Sequence, residues 1–343
     1  MNETMHIAFG FDKNCVMPCG VAMLSICMNT PGPILFHAVL DDDVTDESRK
    51  ILEDIALSHG NRMLFYKADT SAFQEYSGLP YITRSTLLRL ILPDLIPADV
   101  TKILYLDTDI LAVGSLEPLW NMELGLEEPA AMVVDSAGSS VIFHNPIDIP
   151  LSQPYYNAGV MLMNLECWRK ESIGTECIRE LSEKNYRCAD QDVINKVIGH
   201  RVKPAHLRFN LQITFIKYPE ANWYVEKEKY FSEVREAKEN PAIIHYIGEG
   251  KPWHYGNVNN AEWLKYKALS PWKNEPLPHH FTRSKNVLYF DMVNDSDIRD
   301  INAVAQPLIA LTMLLAREHR KMFIFLRKGL WTIAKKKRLT ENV

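Results

Sequence analysis

Short apolar runs that alternate with segments of helical spacing predict an α/β fold built on a sheet of mostly parallel strands. Two observations carry this. The alternation fills the first two-thirds of the 343 residues, and Asp12, Asp41, Asp107 and Asp135 each stand just beyond an apolar run. In open sheets of this kind ligands gather at the carboxyl ends of the strands, where such residues would fall. His6–Phe9 reads as the first strand, Gly20–Asn29 as a helix and Ile34–Leu40 as the second strand. Thr45–Ser58 reads as a helix with Thr45 as its N-cap, the acids of its first turn complementing the helix dipole. Arg62–Tyr66 is the next strand, Thr83–Leu90 a helix carrying Arg84 and Arg89, and Ile103–Leu106 a further strand. Ala131–Val134 and Tyr156–Asn164 read as buried strands, Asp190 stands at a helix start, and Ala242–Ile244 is a short apolar run. Pro271–Pro278 holds three prolines in eight residues, which disfavours helix and suits a linker. The expected division is residues 1–270 as one domain and 271–343 as an extension, largely helical from Asp295 onward.

The composition, 47% hydrophobic and 24% charged, is ordinary for a folded protein. No secretory leader is expected, and the longest apolar candidate for a membrane span, Leu308–Ala316, has about half the ~20 residues required. The six cysteines show no CxxC pair or zinc-like spacing and read as reduced thiols in a cytoplasmic protein. Net charge is −5, but Arg317–Arg338 alone carries +8, so the remaining chain is −13. An acidic body argues against a nucleic-acid-binding body, and a basic tail favours an anionic surface.

Asp107 and Asp109 carry the central expectation. Two carboxylates one residue apart at a strand end can turn toward one hard cation, leaving positions open for phosphate oxygens. The spacing is not specific: Asp41/Asp43, Asp190/Asp192 and Asp295/Asp297 share it, and Asp41/Asp43 also follows an apolar run. A strand-end turn or a helix start explains each pair equally well. His245 follows the last apolar run and offers an imidazole as a third ligand. Gly248 and Gly250 let backbone N–H groups approach a phosphate, and Lys251 adds a point charge. Tyr156–Asn164 has a small polar tip suited to a pocket floor. Asp190 would offer an exposed carboxylate for a sugar hydroxyl, and Arg89 a guanidinium for a carboxylate or phosphate.

In order and spacing, the blocks Ile7–Asn14, Leu88–Leu90, Lys102–Asp109, Tyr156–Val160, Asp190–Asp192 and His245–Trp253 resemble glycosyltransferase family 8 over about residues 5–270. Within it, the chain is most similar to bacterial lipopolysaccharide core glucosyl- and galactosyltransferases. The resemblance implies a GT-A fold and a retaining transferase that uses a UDP-hexose and Mn²⁺, with Mg²⁺ as the alternative ion. It implies that Asp107, Asp109 and His245 hold the metal against the diphosphate. Gly10, Asp12 and Asn14 would line the uridine site. Arg89, Asn157, Gly159, Asp190 and Gln191 would surround the donor sugar, Gly248 and Lys251 would grip the diphosphate, and Asp135 would stand near donor and acceptor sugars. Lys13 departs from relatives that carry an acid there.

The same resemblance makes the lipopolysaccharide core the expected acceptor and the cytoplasmic face of the inner membrane the expected location. At ~100° per residue, Arg317, Arg320, Lys321, Arg327, Lys328, Lys335 and Arg338 share one helix face, and Met322, Phe323, Phe325, Leu326, Leu330 and Ile333 share the other. A basic amphipathic helix of this kind suits an anionic membrane surface. Three other readings stay open: a transferase acting on a protein or another glycan, a nucleotide-sugar-binding protein without catalysis, and a metal-dependent nucleotidyltransferase. The Gly-rich loop that the last would place after the first strand is missing.

Overall fold

The computed structural model describes residues 3–41, 43–68, 84–136, 141–184, 186–217, 227–248, 250–254 and 260–278. The Asp295/Asp297 pair, the basic tail and the side chain of Arg84 lie outside the described residues. In chain order the elements are β1 (Met5–Phe11), α1 (Val16–Asn29), β2 (Ile34–Leu40), α2 (Asp46–Ser58), β3 (Arg62–Lys67), α3 (Leu88–Leu95), β4 (Lys102–Leu106), β5 (Ile110–Ala112), α4 (Glu117–Trp120), β6 (Ala130–Val134), α5 (Val141–Ile147), β7 (Tyr156–Asn164), α6 (Leu165–Lys170), α7 (Ile173–Glu183), α8 (Ala189–Ile198), β8 (Lys203–Pro204), β9 (Leu211–Gln212), α9 (Ile213–Lys217), α10 (Lys227–Glu239), β10 (Ile243–His245) and α11 (Ala261–Leu269).

Seven strands form the main sheet in the order β3-β2-β1-β4-β7-β6-β8. Both faces of its centre are buried, which is why these strands read as continuous apolar runs. Alternate residues serve different cores. Ile7, Phe9, Phe11, Leu104 and Leu106 pack on the side of α1 and α2, whereas Ala8, Ile103 and Tyr105 pack on the side of α3 and α6 to α8. A one-residue slip of β4 would therefore exchange both cores and turn its terminal carboxylates away from the site.

Strand β7 departs from the parallel pattern. It runs antiparallel to both β4 and β6, so its first residues meet the carboxyl end of β4. The pairing with β6 jumps from Met132–Met161 to Val133–Asn157, which leaves Ala158 to Val160 outside that ladder. Bulged strands turn side chains out of the pleat, and this one delivers Asn157, Ala158 and Gly159 to the site.

Several boundaries extend beyond the sequence expectation. Helix α1 begins at Val16 rather than Gly20, with Pro18 in a first turn whose N–H groups need no helical partner. The segment before Leu88 is a 3₁₀ turn, Arg84–Leu87, and the helix itself runs on to Leu95. Thr45 caps α2 as expected, accepting from the Ser48 N–H at 3.2 Å. Within Pro271–Pro278, Trp272 is buried against Gly20, where an added Cβ would lie 2.3 Å from its ring. Lys267 Nζ binds the carbonyls of Trp272 and Glu275, both at 2.6 Å. No helix among the described residues is long and apolar enough to cross a membrane.

Candidate active site

A second, three-stranded sheet of order β5-β10-β9 brings His245 beside the two aspartates that follow β4. Strand β5 starts directly after Asp109 and pairs antiparallel with β10, so Ile110 faces His245 and the Tyr246 N–H bonds the Asp109 carbonyl at 2.9 Å. Residues far apart in the chain thereby become neighbours. One ligand atom each from Asp107, Asp109 and His245 lies within 4.8 Å of the others. His245 Nε2 stands 3.1 Å from Asp109 Oδ1 and 4.0 Å from Asp107 Oδ2.

This donor set fits a divalent ion. His245 Nδ1 donates to Asn210 Oδ1 at 2.8 Å, which leaves Nε2 with its lone pair aimed at the two carboxylates. Burial opposes ionisation of Asp109, yet the Lys251 ammonium beside it holds its carboxyl well below the usual range. Lys251 Nζ binds Asp109 Oδ2 and the Tyr246 carbonyl. Asn210 is a partner of this kind that carried no sequence signal. Asn210→Ala should weaken Mn²⁺ binding about 10–100-fold, as read by calorimetry, while the circular dichroism spectrum stays that of wild type.

Arg89, at the start of α3, is a buried hub beside this cluster. Its Nη2 donates to Asp107 Oδ1 at 2.7 Å, its Nη1 to the Ala158 carbonyl at 2.6 Å, and its Nε lies 2.9 Å from Asp190 Oδ2. The Tyr105 ring lies 4.7 Å beneath the guanidinium, and its hydroxyl donates to Asp107 Oδ1 at 3.0 Å. Burial works against the Arg89 charge, but Asp107 and Asp190 raise its pKa above the ordinary value. The Asp190 carboxyl is pushed up to about 7, first by burial and despite Arg89. The exposed carboxylate expected at Asp190 is thus corrected: Asp190 is 2% exposed and Asp192 1%. The cause is packing of the α8 start against Arg89 and Tyr155, whose hydroxyl donates to Asp192 Oδ1.

A network of amides adjoins this cluster. Asn157 Nδ2 donates to Asp135 Oδ2 at 3.0 Å and to Gln191 Oε1 at 3.1 Å, and Gln191 Nε2 donates to Asp135 Oδ2 at 3.1 Å. Asn210 Nδ2 donates to Asn157 Oδ1 at 2.9 Å. A continuous chain of donors therefore runs from His245 through Asn210 and Asn157 to the Asp135 carboxylate. The backbone of the β7 tip is equally committed. The Ala158 N–H donates to Gln191 Oε1, the Gly159 N–H to Asn157 Oδ1, and the Gly159 carbonyl accepts from the Asp107 N–H. With Arg89 on the Ala158 carbonyl, no polar backbone group of these two residues is left without a site partner.

The first loop stands at the carboxyl end of β1. Gly10 lies within β1, and Asp12 caps a 3₁₀ turn by accepting from the Asn14 N–H at 2.9 Å. The Cys15 thiol, pushed up to about 11 by burial and by Asp12, hydrogen-bonds Thr108 and so ties this loop to the aspartate turn. Asp43, the rival of the metal pair, is occupied elsewhere: its carboxylate accepts from the Lys13 N–H at 3.0 Å and pairs with Lys13 Nζ at 3.4 Å. Gly248 adopts a φ of +83°, a conformation costly for any residue with a Cβ.

Comparison with known proteins agrees with this geometry. The model of glycosyl transferase family 8 matches residues 6–257. The chain is 27% identical over 285 residues to the lipopolysaccharide glucosyltransferase WaaO of Escherichia coli K12, covering 80% of this chain and 81% of that one. It is 26% identical over 296 residues to a lipopolysaccharide 1,3-galactosyltransferase of Salmonella typhimurium, covering 82% of this chain and 84% of that one. Among solved structures it is similar to the galactosyltransferase LgtC in complex with donor and acceptor sugar analogs, with a TM-score of 0.68 and 26% identity over 78% of this chain and 96% of that one.

Proposed function

The chain belongs to glycosyl transferase family 8 and is a glycosyltransferase with the GT-A fold. From that premise we propose that it moves a hexose, glucose or galactose, from a UDP-sugar to a lipopolysaccharide core oligosaccharide, with an α linkage retained. The observation that carries the donor assignment is the cluster of Asp107, Asp109 and His245 at the carboxyl end of β4, flanked by the cations Arg89 and Lys251. The acceptor assignment is supported by the names of the curated relatives.

Breaking the sugar–phosphate bond leaves negative charge on UDP and positive charge at the anomeric carbon. A divalent ion on Asp107, Asp109 and His245, Mn²⁺ or Mg²⁺, supplies Lewis-acid stabilisation of the diphosphate leaving group. Lys251 and the backbone at Gly248 add a point charge and donors for the same phosphates. Gly10, Asp12 and Asn14 hold the uridine. Arg89 keeps Asp107 and Asp190 in place and, with Asn157, Gly159 and Gln191, shapes the sugar pocket. Asp135, held by two amides, orients hydroxyl groups of donor and acceptor.

Retention follows from same-face attack. The acceptor oxygen bonds the anomeric carbon on the face the phosphate leaves, and its proton passes to the departing phosphate oxygen. Two features support this over a covalent route. The Gln191 amide is a poor nucleophile and is spent on Asn157, Ala158 and Asp135. Asp190 is buried in its pair with Arg89. Recovery of a peptide carrying a hexose on Asp190 would overturn same-face attack.

The deciding assay is UDP release with Mn²⁺, run separately with UDP-glucose and UDP-galactose, with and without truncated lipopolysaccharide. Release that rises several-fold with the acceptor supports the assignment. Acceptor-independent release, or transfer only to a protein or soluble glycan, refutes it. We further propose that residues 271–343 form a helical extension whose basic amphipathic tail holds the enzyme on the cytoplasmic face of the inner membrane. Truncation after Arg317 should move the protein from the membrane pellet to the supernatant while UDP-sugar hydrolysis is kept; continued pelleting would count against it.

A further inference from the structure

Strand β9 is only two residues long, yet its register places it between the two halves of the site. Gln212 faces His245 in the parallel pairing with β10. Asn210, just before the strand, bonds the His245 ring from behind. Gln212 is fully buried. Its Oε1 accepts from the Ser136 N–H at 2.8 Å, and its Nε2 donates to the Val134 carbonyl at 2.9 Å. These two groups flank Asp135 in the chain. The Asp135 N–H itself donates to the Tyr155 carbonyl at 2.9 Å. The backbone around Asp135 is thus clamped by one side-chain amide and the carbonyl of the residue just before β7.

We propose that Gln212 is a positioning residue for Asp135, and that β9 acts as a ruler that fixes the spacing between the metal-ligating His245 and the sugar-facing carboxylate. This rests on the reading of Asp135 given above. Physically, the primary amide suits the task because it presents N–H donors and an acceptor oxygen side by side, matching a carbonyl and an N–H two residues apart. On the β8 side no strand neighbour does this, since β8 pairs only with Ala131 and Met132. Without Gln212, the Val134 carbonyl and Ser136 N–H need new partners, and the loop carrying Asp135 shifts to find them. A misplacement of about 1 Å at a reacting group costs about 100-fold in rate.

The test uses the full chain with Mn²⁺, UDP-glucose or UDP-galactose, and truncated lipopolysaccharide. Gln212→Met keeps the volume and removes both bonds. It should lower kcat about 10–100-fold, with KM for the UDP-hexose and Mn²⁺ affinity within about twofold of wild type. In an Asp135→Ala background the same substitution should change kcat less than about twofold, because the residue it positions is gone. An equal loss in both backgrounds, or wild-type kcat in Gln212→Met, overturns the proposal. Gln212→Glu, which keeps an acceptor for the Ser136 N–H, is carried in parallel. If neither variant folds, Gln212 is a folding residue and the proposal fails. A wild-type chain that releases no UDP from either donor overturns the underlying reading, and the proposal with it; Asp135→Ala is then silent as well, which separates the two failures.

Discussion

Replacing Asp107 or Asp109 by Ala should abolish sugar transfer, lowering kcat/KM by about 10³-fold or more, without unfolding the protein. Both carboxylates sit in the cluster that fits a divalent ion, but they carry different structural loads. Asp107 also accepts from Arg89 and from the Tyr105 hydroxyl. Its removal leaves the Tyr105 hydroxyl short of a partner, at a cost of about 1–3 kcal/mol, while Arg89 keeps Asp190 and the Ala158 carbonyl. Asp109 is held by Lys251 and His245, and its loss leaves the ammonium without its carboxylate. Neither cost approaches the ~5–15 kcal/mol that holds a domain together. Thermal melts separate the two effects. Wild type should gain stability when Mn²⁺ and UDP are added together, by mass action on the folded state, and neither variant should gain. Asp46→Ala is the control: its side chain is 98% exposed on α2 and it should transfer at the wild-type rate.

Gly159→Ala should be nearly as damaging, although it adds only a methyl group. An ideal Cβ at this position would lie 2.2 Å from His245 Cε1, 2.8 Å from Asp107 Oδ2 and 2.9 Å from His245 Nε2. The backbone cannot retreat, because the Gly159 N–H is bound to Asn157 and its carbonyl to the Asp107 N–H. The imidazole and a carboxylate must therefore move apart. The expected loss is about 100-fold or more in Mn²⁺ affinity, with an overpacking cost of about 1–3 kcal/mol. Calorimetric titration with Mn²⁺ checks the first and urea unfolding the second. Unchanged affinity would show that the ligands tolerate a methyl group between them.

Much of this site was legible in the sequence because strand ends announce themselves. The runs at Ile34–Leu40 and Ile103–Leu106 are buried on both faces, so no alternation hides them, and the polar residues after them fall at one edge of the sheet. Helix α2 was legible because Thr45 caps it. Helix α1 starts earlier than its pattern suggests because Cys15 makes no side-chain cap bond. The direction of β7 was not legible, since nothing local distinguishes a strand inserted antiparallel between two others. Which Asp pair matters was not a local property either. Asp109 meets His245 only through the β5–β10 register, and Asp43 is set aside only by its contacts with Lys13.

The parts that escaped are buried amides and hydroxyls. Tyr105 lies in an apolar run, whereas Asn210 and Gln212 alternate with Phe209, Leu211 and Ile213 and so read as the solvent face of a strand. Their partners are fixed by tertiary packing: a ring nitrogen, two backbone groups and a carboxylate. Asp190 and Asp192 misled in the opposite sense. Acids in the first turn of a helix are normally solvated, but here Arg89 and Tyr155 reach them from below.

The central claim is that Asp107, Asp109 and His245 hold the divalent ion that carries the diphosphate. It is tested most directly by anomalous diffraction from crystals grown with Mn²⁺ and UDP. The account predicts a single strong peak within bonding distance of an oxygen of Asp107, an oxygen of Asp109 and Nε2 of His245, with the diphosphate completing the shell beside Lys251. A peak between Asp41 and Asp43 or at Asp190, or ordered UDP with no anomalous peak beside its phosphates, would contradict it.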